Sequence, residues 1–193
     1  MANAATSPRE RYRAQMRTEI KEQAWEQIAT SGASALSLNA IAKQLGMSGP
    51  ALYRYYASRH DLITELIRDA YRSLADALAE VAAAGDADLP RLGRTVRAWA
   101  LEDPQRYFLI YGTPVPGYHA PADTTTIADE IMAVLLAASP DAETAPEMAT
   151  RRAMAFWTRV HGVLSLELAG QFAGLDLDPA ALFESELDSL REL

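Results

Sequence analysis

The residues best suited to chemistry lie between positions 48 and 56, where an arginine stands between two tyrosines. A guanidinium such as that of Arg54 can bond guanine bidentately or pair with a phosphate, and a ring such as that of Tyr55 can pack on a thymine methyl group. Leu52 and Tyr56 are four residues apart, which predicts a short helix that buries both and turns other side chains outward. The outward residues would be Gly49, Ala51, Tyr53, Arg54 and Tyr55.

The preceding residues predict a second helix that would hold the first in place. Ser37 can cap a helix whose apolar positions, Ile41 and Leu45 among them, lie on one face. Gly46 supplies the positive φ that a sharp turn requires, and Ser48 can cap the following helix. The pattern is typical of a helix-turn-helix over about 37–56, whose second helix fits the DNA major groove. A plain corner between two helices is the alternative.

The distribution of charge favours the DNA interpretation. The chain has 193 residues and a net charge of −8, an average that argues against nucleic acid as a partner. Residues 1–60, however, contain eight basic and four acidic side chains, so they carry +4 and the remainder carries −12. A basic end attached to an acidic body is expected of a small DNA-binding domain fused to a second domain.

Residues 15–65 resemble the N-terminal domain of the TetR (tetracycline-repressor) family of bacterial transcription regulators. The family pattern is Ser or Thr, then Ile-Ala, Gly-Val-Ser, Leu-Tyr-x-His-Phe, and a basic residue before Leu. This chain departs from it at Met47, Tyr55 and Tyr56, which replace Val, His and Phe with residues of similar shape. The matching residues are Ser37, Ile41, Ala42, Gly46, Ser48, Leu52, Tyr53, Arg59 and Leu62.

The resemblance implies roles for individual side chains. The phosphate-contacting tyrosine of the family matches Tyr53, and its basic residue at the start of the fourth helix matches Arg59. Base readout in the family comes from the third helix and the start of the second. The implied DNA-binding residues are therefore Ser37, Asn39, Ser48, Gly49, Ala51, Tyr53, Arg54, Tyr55 and Arg59.

Side-chain chemistry supports some of these roles more than others. Asn39 has the amide that pairs bidentately with adenine, whereas Gly49 and Ala51 are too small for hydrogen-bonded readout and would only permit close approach. Three basic residues nearer the N-terminus have two interpretations, contact with the DNA backbone or minor groove and a merely solvated helix end. They are Arg9, Arg11 and Arg13.

The rest of the chain predicts helices, because alanine is abundant and apolar residues recur at three- and four-residue spacings. The expected fold is all-α, with about nine helices. It comprises a three-helix DNA-binding domain over 1–60 and a larger helical regulatory and dimerisation domain over 61–193, linked by helix 59–84. The expected helices are 8–31, 38–45, 49–55, 59–84, 89–101, 104–111, 122–138, 144–172 and 179–191.

Segment 156–172 is similar to the Trp–His–Gly signature of one group of C-terminal domains in the same family, carried here by Trp157, His161 and Gly162. Helix 144–172 is apolar on most sides, which predicts burial by a partner as well as by its own core. With helix 179–191 it is expected to form the family's dimerising four-helix bundle, two helices from each subunit. Packing of both helices within one core is the alternative.

Aromatic residues concentrate in the middle of the acidic body. The resemblance implies a pocket for a small-molecule inducer of apolar or aromatic character, and such pockets form between helices. The same side chains could instead fill a core, and His161 could be a hydrogen-bonded core histidine. The candidate pocket residues are Trp99, Tyr107, Phe108, Tyr111, Tyr118, Met132, Trp157 and His161.

Other classes of function find little support. The chain has no cysteine, its three histidines are far apart, and it lacks a Gly-rich phosphate loop and a nucleophile elbow, so we expect no catalytic residue, metal or cofactor. No apolar run approaches the roughly 18 residues of a membrane span, and a cytoplasmic location is expected.

The expected function is that of a ligand-responsive regulator, most often a repressor in this family. It would bind a palindromic operator in double-stranded DNA as a homodimer and be released by a small-molecule inducer. The alternative is a helical small-molecule-binding protein without specific DNA binding.

Overall fold

The all-α prediction is confirmed by the computed structural model, which describes residues 7–112, 115, 118, 121–140 and 142–189. The described residues form nine α-helices and one 3₁₀ turn (Ala33–Ala35), with no strand. The helices are α1 (Pro8–Ser31), α2 (Leu38–Gln44), α3 (Gly49–Leu52), α4 (Arg59–Ala83), α5 (Leu89–Glu102), α6 (Pro104–Tyr111), α7 (Ala122–Ala137), α8 (Pro146–Leu168) and α9 (Pro179–Ser189).

The fold consists of two compact units. Of the described residues, the first unit contains those up to Ile67 together with Val115 and Tyr118, and the second contains the others from Arg68 onward. The boundary falls inside α4, so this helix belongs to both units. It lies further along the chain than residue 60, where the sequence placed the domain boundary. No helix in the described ranges is long and apolar enough to cross a membrane.

Helix α1 supports the first unit through one buried edge, where Ile20, Ala24 and Ile28 recur every four residues. Its start carries the capping box that the sequence suggests. The Glu10 amide donates to the Ser7 hydroxyl at 3.2 Å, and the Ser7 amide donates to the Glu10 carboxylate at 2.7 Å. The helix therefore begins at a defined residue, which places the side chains of its first two turns.

The helix-turn-helix has the local features expected of it, with two corrections. Gly46 has φ +64°, and the Ser37 hydroxyl accepts a hydrogen bond from the Ala40 amide. Ser48 occupies the N-cap position of α3, but its hydroxyl makes no capping hydrogen bond. The expected helix 49–55 ends at Leu52, because the chain then tightens into turns closed by bonds to the residue three positions earlier, as in Tyr55 to Leu52 at 2.8 Å.

Replacing Gly46 by alanine should lower the free energy of unfolding of the first unit by about 1 kcal/mol, because a side chain at positive φ is strained. Gly49→Ala is the matched control. Its φ is not positive, and an added Cβ would meet only the Asn39 Oδ1 atom, at 3.7 Å. Urea denaturation measures both variants. Equal stability of the two would contradict the assignment of the turn to Gly46.

The second unit packs α5, α8 and α9 closely around a large apolar core. Phe156, Phe183 and Leu187 are almost completely buried there. Gly93 of α5 permits the close approach, since a Cβ at this position would lie 2.7 Å from Leu187 and 3.1 Å from Phe156. These three helices therefore form the closely packed part of the second unit.

Helix α8 is shorter than the expected 144–172 and ends at Leu168. Gly170 has φ +70°, its amide bonds the Glu167 carbonyl, and the Gln171 amide bonds the Leu166 carbonyl at 2.9 Å. These paired bonds form a Schellman motif, which ends the helix although the apolar pattern continues to Phe172. Apart from the early end of α3 at Leu52, the other helix ends lie within two residues of prediction, and the last residues of the expected helix 179–191 fall outside the described ranges.

Candidate nucleic-acid interface and ligand site

The face around α3 keeps its polar side chains in solvent. Tyr53 is 46% exposed, and Asn39, Ser48 and Arg54 are exposed as well. Gly49, Ala51 and Tyr55 are half-buried. Asn39 of α2 and Gly49 of α3 are neighbours, as the short distance to a Cβ at Gly49 shows. The structure thus places the amide of Asn39 and the guanidinium of Arg54 on one surface, next to the small residues Gly49 and Ala51.

Arg59 is held by the protein itself. Its Nη2 donates to the carbonyls of Ala33 at 2.7 Å and Ser34 at 3.1 Å, and its Nε donates to the carbonyl of Leu36 at 3.0 Å. The half-buried guanidinium therefore ties the start of α4 to the 3₁₀ turn and the entry to α2. A phosphate at this position would have to share donors that are already engaged.

Ser37 also has structural partners. Its amide donates to the Gln27 side-chain carbonyl at 3.0 Å, and its hydroxyl accepts from the Ala40 amide. These bonds connect α1 to the start of α2, which orients the helix that supports α3.

A polar network centred on Glu65 lies behind the end of α3, and sequence reasoning missed it. Arg17 of α1 forms an ion pair with Glu65, donates to the Tyr55 carbonyl at 3.1 Å, and stacks on the Tyr56 ring at 4.5 Å. The Tyr56 hydroxyl donates to Glu65 at 3.0 Å, and Lys21 lies 3.5 Å from the same carboxylate. The pairs join α1 to α4 across 48 residues, so no local pattern could reveal them.

In the second unit, His161 is the centre of an aromatic cluster. Its ring centroid lies 4.2 Å from those of Tyr111 and Trp157 and 5.6 Å from that of Tyr107. The Tyr107 hydroxyl is 3.1 Å from the Nδ1 atom of His161 and 3.3 Å from its carbonyl oxygen. Helices α6 and α8 thereby place three aromatic rings around one imidazole.

Burial sets the protonation of this cluster. It lowers the pKa of His161 to about 4, so the imidazole is neutral at neutral pH, and it raises the pKa of Tyr107 to about 12. Burial and the neighbouring tyrosines also raise the pKa of Tyr111. The Nε2 atom of His161 is buried without a hydrogen-bond partner among the described residues. The cluster therefore offers uncharged, flat surfaces and one polar nitrogen.

The remaining predicted pocket residues of the second unit differ in their surroundings. Phe108 stacks edge-on against Tyr107, with ring centroids 5.7 Å apart. Met132 packs on the core, and Trp99 is buried and donates its indole N–H to the Ser73 hydroxyl at 2.8 Å. Tyr118 belongs to the first unit, where its ring lies 5.1 Å from that of His60. It is not among the rings around His161.

Tyr71 of α4 is a member of the cluster that the sequence did not reveal, with its ring 5.9 Å from that of Tyr111. Its place three residues before the buried Leu74 is the signal in the sequence that indicates an inward-facing side chain. No group of three metal-binding side chains exists in the portion of the chain that the structure covers.

Two family models match the chain. One, described as bacterial regulatory proteins of the tetR family, covers residues 20–66, and the other, described as a tetracyclin repressor-like C-terminal domain, covers residues 89–190.

Individual relatives agree with these matches. The chain is 34% identical to the HTH-type transcriptional regulator Rv1816 of Mycobacterium tuberculosis, over 90% of each protein. It is 60% identical to protein SCO4313, whose crystal structure superimposes with a TM-score of 0.91 over 97% of this chain and 100% of the other. A TetR variant from Acinetobacter baumannii, solved with minocycline, is 20% identical, covers 89% of this chain and 91% of its own length, and shares the fold with a TM-score of 0.57.

Proposed function

Because the chain belongs to the TetR family of bacterial transcriptional regulators, we propose that it is a repressor that binds a palindromic operator as a homodimer and is released by a small molecule. Family members are regulators and not enzymes, in agreement with the lack of catalytic motifs in the sequence. The observation that carries the proposal is the exposed polar face around α3, in a unit whose charge is positive. Such a regulator acts where the DNA is, in the cytoplasm.

We assign the DNA contacts by exposure and chemistry. Tyr53 donates its hydroxyl to a phosphate, Arg54 bonds guanine or a phosphate, and Asn39 bonds adenine. Gly49 and Ala51 let the backbone of α3 approach the bases. The edge of the half-buried Tyr55 ring packs on a thymine methyl group, and Ser48 lies exposed at the start of α3. Ser37 and Arg59 act indirectly, because they orient α2 and α4.

Dimerisation is proposed through α8 and α9. Within one chain α8 leaves apolar side chains in solvent, since Met148 is 48% and Leu166 46% exposed, and α9 packs beside it in the same core. Gly162 of α8 has open space where a side chain would be, which permits a second helix to approach. A two-fold dimer would present two α3 helices to successive major grooves, about 34–36 Å apart.

The ligand would bind at the aromatic cluster around His161. Neutral rings and one unpaired nitrogen suit a flat apolar or aromatic molecule that carries a single hydrogen-bonding group. Binding would release DNA if the ligand favours a conformation of α4 that DNA does not, and DNA would then weaken ligand binding by the same factor. Helix α4 can carry the change because it runs through both units.

Substitution of Tyr53 and Arg54 tests the DNA interface. Tyr53→Phe should weaken binding to every duplex, because a phosphate contact carries no sequence information. Arg54→Ala should cost about 1–3 kcal/mol and relax specificity if it contacts a base. Fluorescence anisotropy with DNA from upstream of the protein's own gene, against an unrelated duplex and across a salt series, measures both.

The alternative function, a ligand-binding helical protein without specific DNA binding, makes the opposite prediction. Wild-type affinity would then be weak and equal for both duplexes. Under the regulator proposal the logarithm of affinity falls with the logarithm of salt concentration and the upstream duplex binds more tightly, with two protomers per site.

A further inference from the structure

A groove on the first unit joins the first two turns of α1 to the chain just beyond α3. It has a volume of about 280 Å³ and is lined by Arg9, Tyr12, Arg13, Arg54 and Tyr55. The two parts of its wall are more than 40 residues apart in sequence, so only folding brings them together. Its lining contains three guanidinium groups and two phenol hydroxyls, all of which can donate hydrogen bonds.

In the described part of the chain, no acidic side chain neutralises this groove. Among the described residues, no carboxylate forms an ion pair with Arg9, Arg13 or Arg54, and no acidic residue is part of the wall. The nearest acid in sequence, Glu10, is engaged with Ser7 in the capping box, and that bond lowers its pKa. Three cations held around one groove repel each other, and a bound anion would relieve that repulsion.

The position of Tyr12 supports an extended occupant. Its side chain is 63% exposed, more than that of any other large apolar or aromatic residue described, although it lies between Arg9 and Arg13 on α1. An exposed ring beside cations is suited to packing on a sugar or a base edge while its hydroxyl reaches a phosphate.

We propose that this groove seats a sugar-phosphate strand of the DNA next to the bases that α3 faces, so that the first two turns of α1 belong to the DNA interface. The inference rests on the proposed function. A DNA strand is favoured because Arg54 is shared between the groove and the exposed face around α3, which makes the two surfaces continuous. Of the two interpretations of the N-terminal arginines, DNA contact thus holds for Arg9 and Arg13.

Single alanine substitutions at Arg9, Arg13 and Arg11 test the groove with a matched control. Arg11 lies on the same turns of α1 and its loss removes the same charge, but it is not part of the groove wall. We expect Arg9→Ala and Arg13→Ala each to weaken binding roughly tenfold at low salt and to reduce the salt slope by about 1, equally for upstream and unrelated duplexes. Arg11→Ala should change affinity less than about twofold, because its exposed charge lies outside the groove wall and is screened by solvent.

The outcomes separate this inference from the proposed function. Equal losses in all three variants would show only a long-range charge effect, and unchanged affinity of the Arg9 and Arg13 variants would leave the groove outside the interface. Loss confined to the upstream duplex would indicate base readout instead of strand contact. Each of these results overturns the inference. Wild-type protein that does not prefer the upstream duplex would instead contradict the proposed function, while the comparison of salt slopes still decides the groove.

Discussion

Replacing Glu65 by glutamine should lower both the stability of the first unit and the affinity for DNA. The carboxylate has three partners, Arg17, Lys21 and the Tyr56 hydroxyl, and its side chain is only 18% exposed. An amide keeps the shape but removes the negative charge that Arg17 and Lys21 face. We expect a loss of about 2 kcal/mol in the free energy of unfolding, below the cost for a fully buried pair because Arg17 remains partly in solvent.

The effect on DNA binding follows from the second contact of Arg17. Its guanidinium donates to the Tyr55 carbonyl, so the pair with Glu65 fixes the backbone next to Arg54. Without the carboxylate this segment should become less ordered, and affinity should fall about tenfold, equivalent to 1.4 kcal/mol. Removing a negative charge would by itself strengthen binding to DNA, so a loss cannot come from net charge.

Asp61→Asn is the control for the Glu65 variant. It removes one negative charge from an exposed position one turn earlier on α4 and should leave stability within about 0.5 kcal/mol of wild type. Urea denaturation and anisotropy are measured on both. Wild-type affinity and stability in Glu65→Gln would show that the network does not position the segment after α3.

The second large effect is a loss of stability in acid caused by His161. Burial lowers its pKa in the folded protein to about 4, whereas the ordinary value is 6.5. Between these two pH values the unfolded chain binds a proton that the folded chain does not, so stability falls as the pH is lowered from 6.5 towards 4. A pKa difference of this size corresponds to about 3 kcal/mol, and the loss is complete below pH 4.

Comparison with His161→Phe isolates this titration, because carboxylates that titrate in the same range contribute equally to both proteins. Unfolding is measured by urea denaturation at pH values from 7.5 to 4. The difference in unfolding free energy between wild type and variant should shift by about 2–3 kcal/mol in favour of the variant as the pH falls. Parallel curves would mean that the imidazole is solvated and that the cluster is open to water.

Local sequence features account for the helices and for the turn between α2 and α3. Caps, helix-starting prolines and glycines act over three or four residues, so Ser37, Gly46 and Pro50 could be interpreted without a partner elsewhere in the chain. The expected end of α8 at residue 172 is wrong, because the apolar pattern continues to Phe172 whereas Gly170 ends the helix. The local signal was present, and the Schellman bonds show which of the two prevails.

The side-chain partners could not be predicted in the same way. Arg59 and Arg54 are both basic residues near α3, but among the described contacts only Arg59 meets the carbonyls of the 3₁₀ turn and of Leu36, 23 to 26 residues earlier in the chain. Tyr118 and Tyr111 are both aromatic residues of the same region, but they belong to different units. Which donor meets which acceptor depends on how helices pack, and that is a property of the whole unit.

The sequence by itself thus determined the all-α class, the helix-turn-helix and the charge that distinguishes the first 60 residues from the rest, since propensity, capping and charge are carried by single residues and their near neighbours. The tertiary structure alone decided that Glu65 holds Arg17, that His161 is neutral among three aromatic rings, and that Arg9 and Arg13 share a groove with Arg54. Burial and long-range proximity produce all three, and neither exists before the chain has folded.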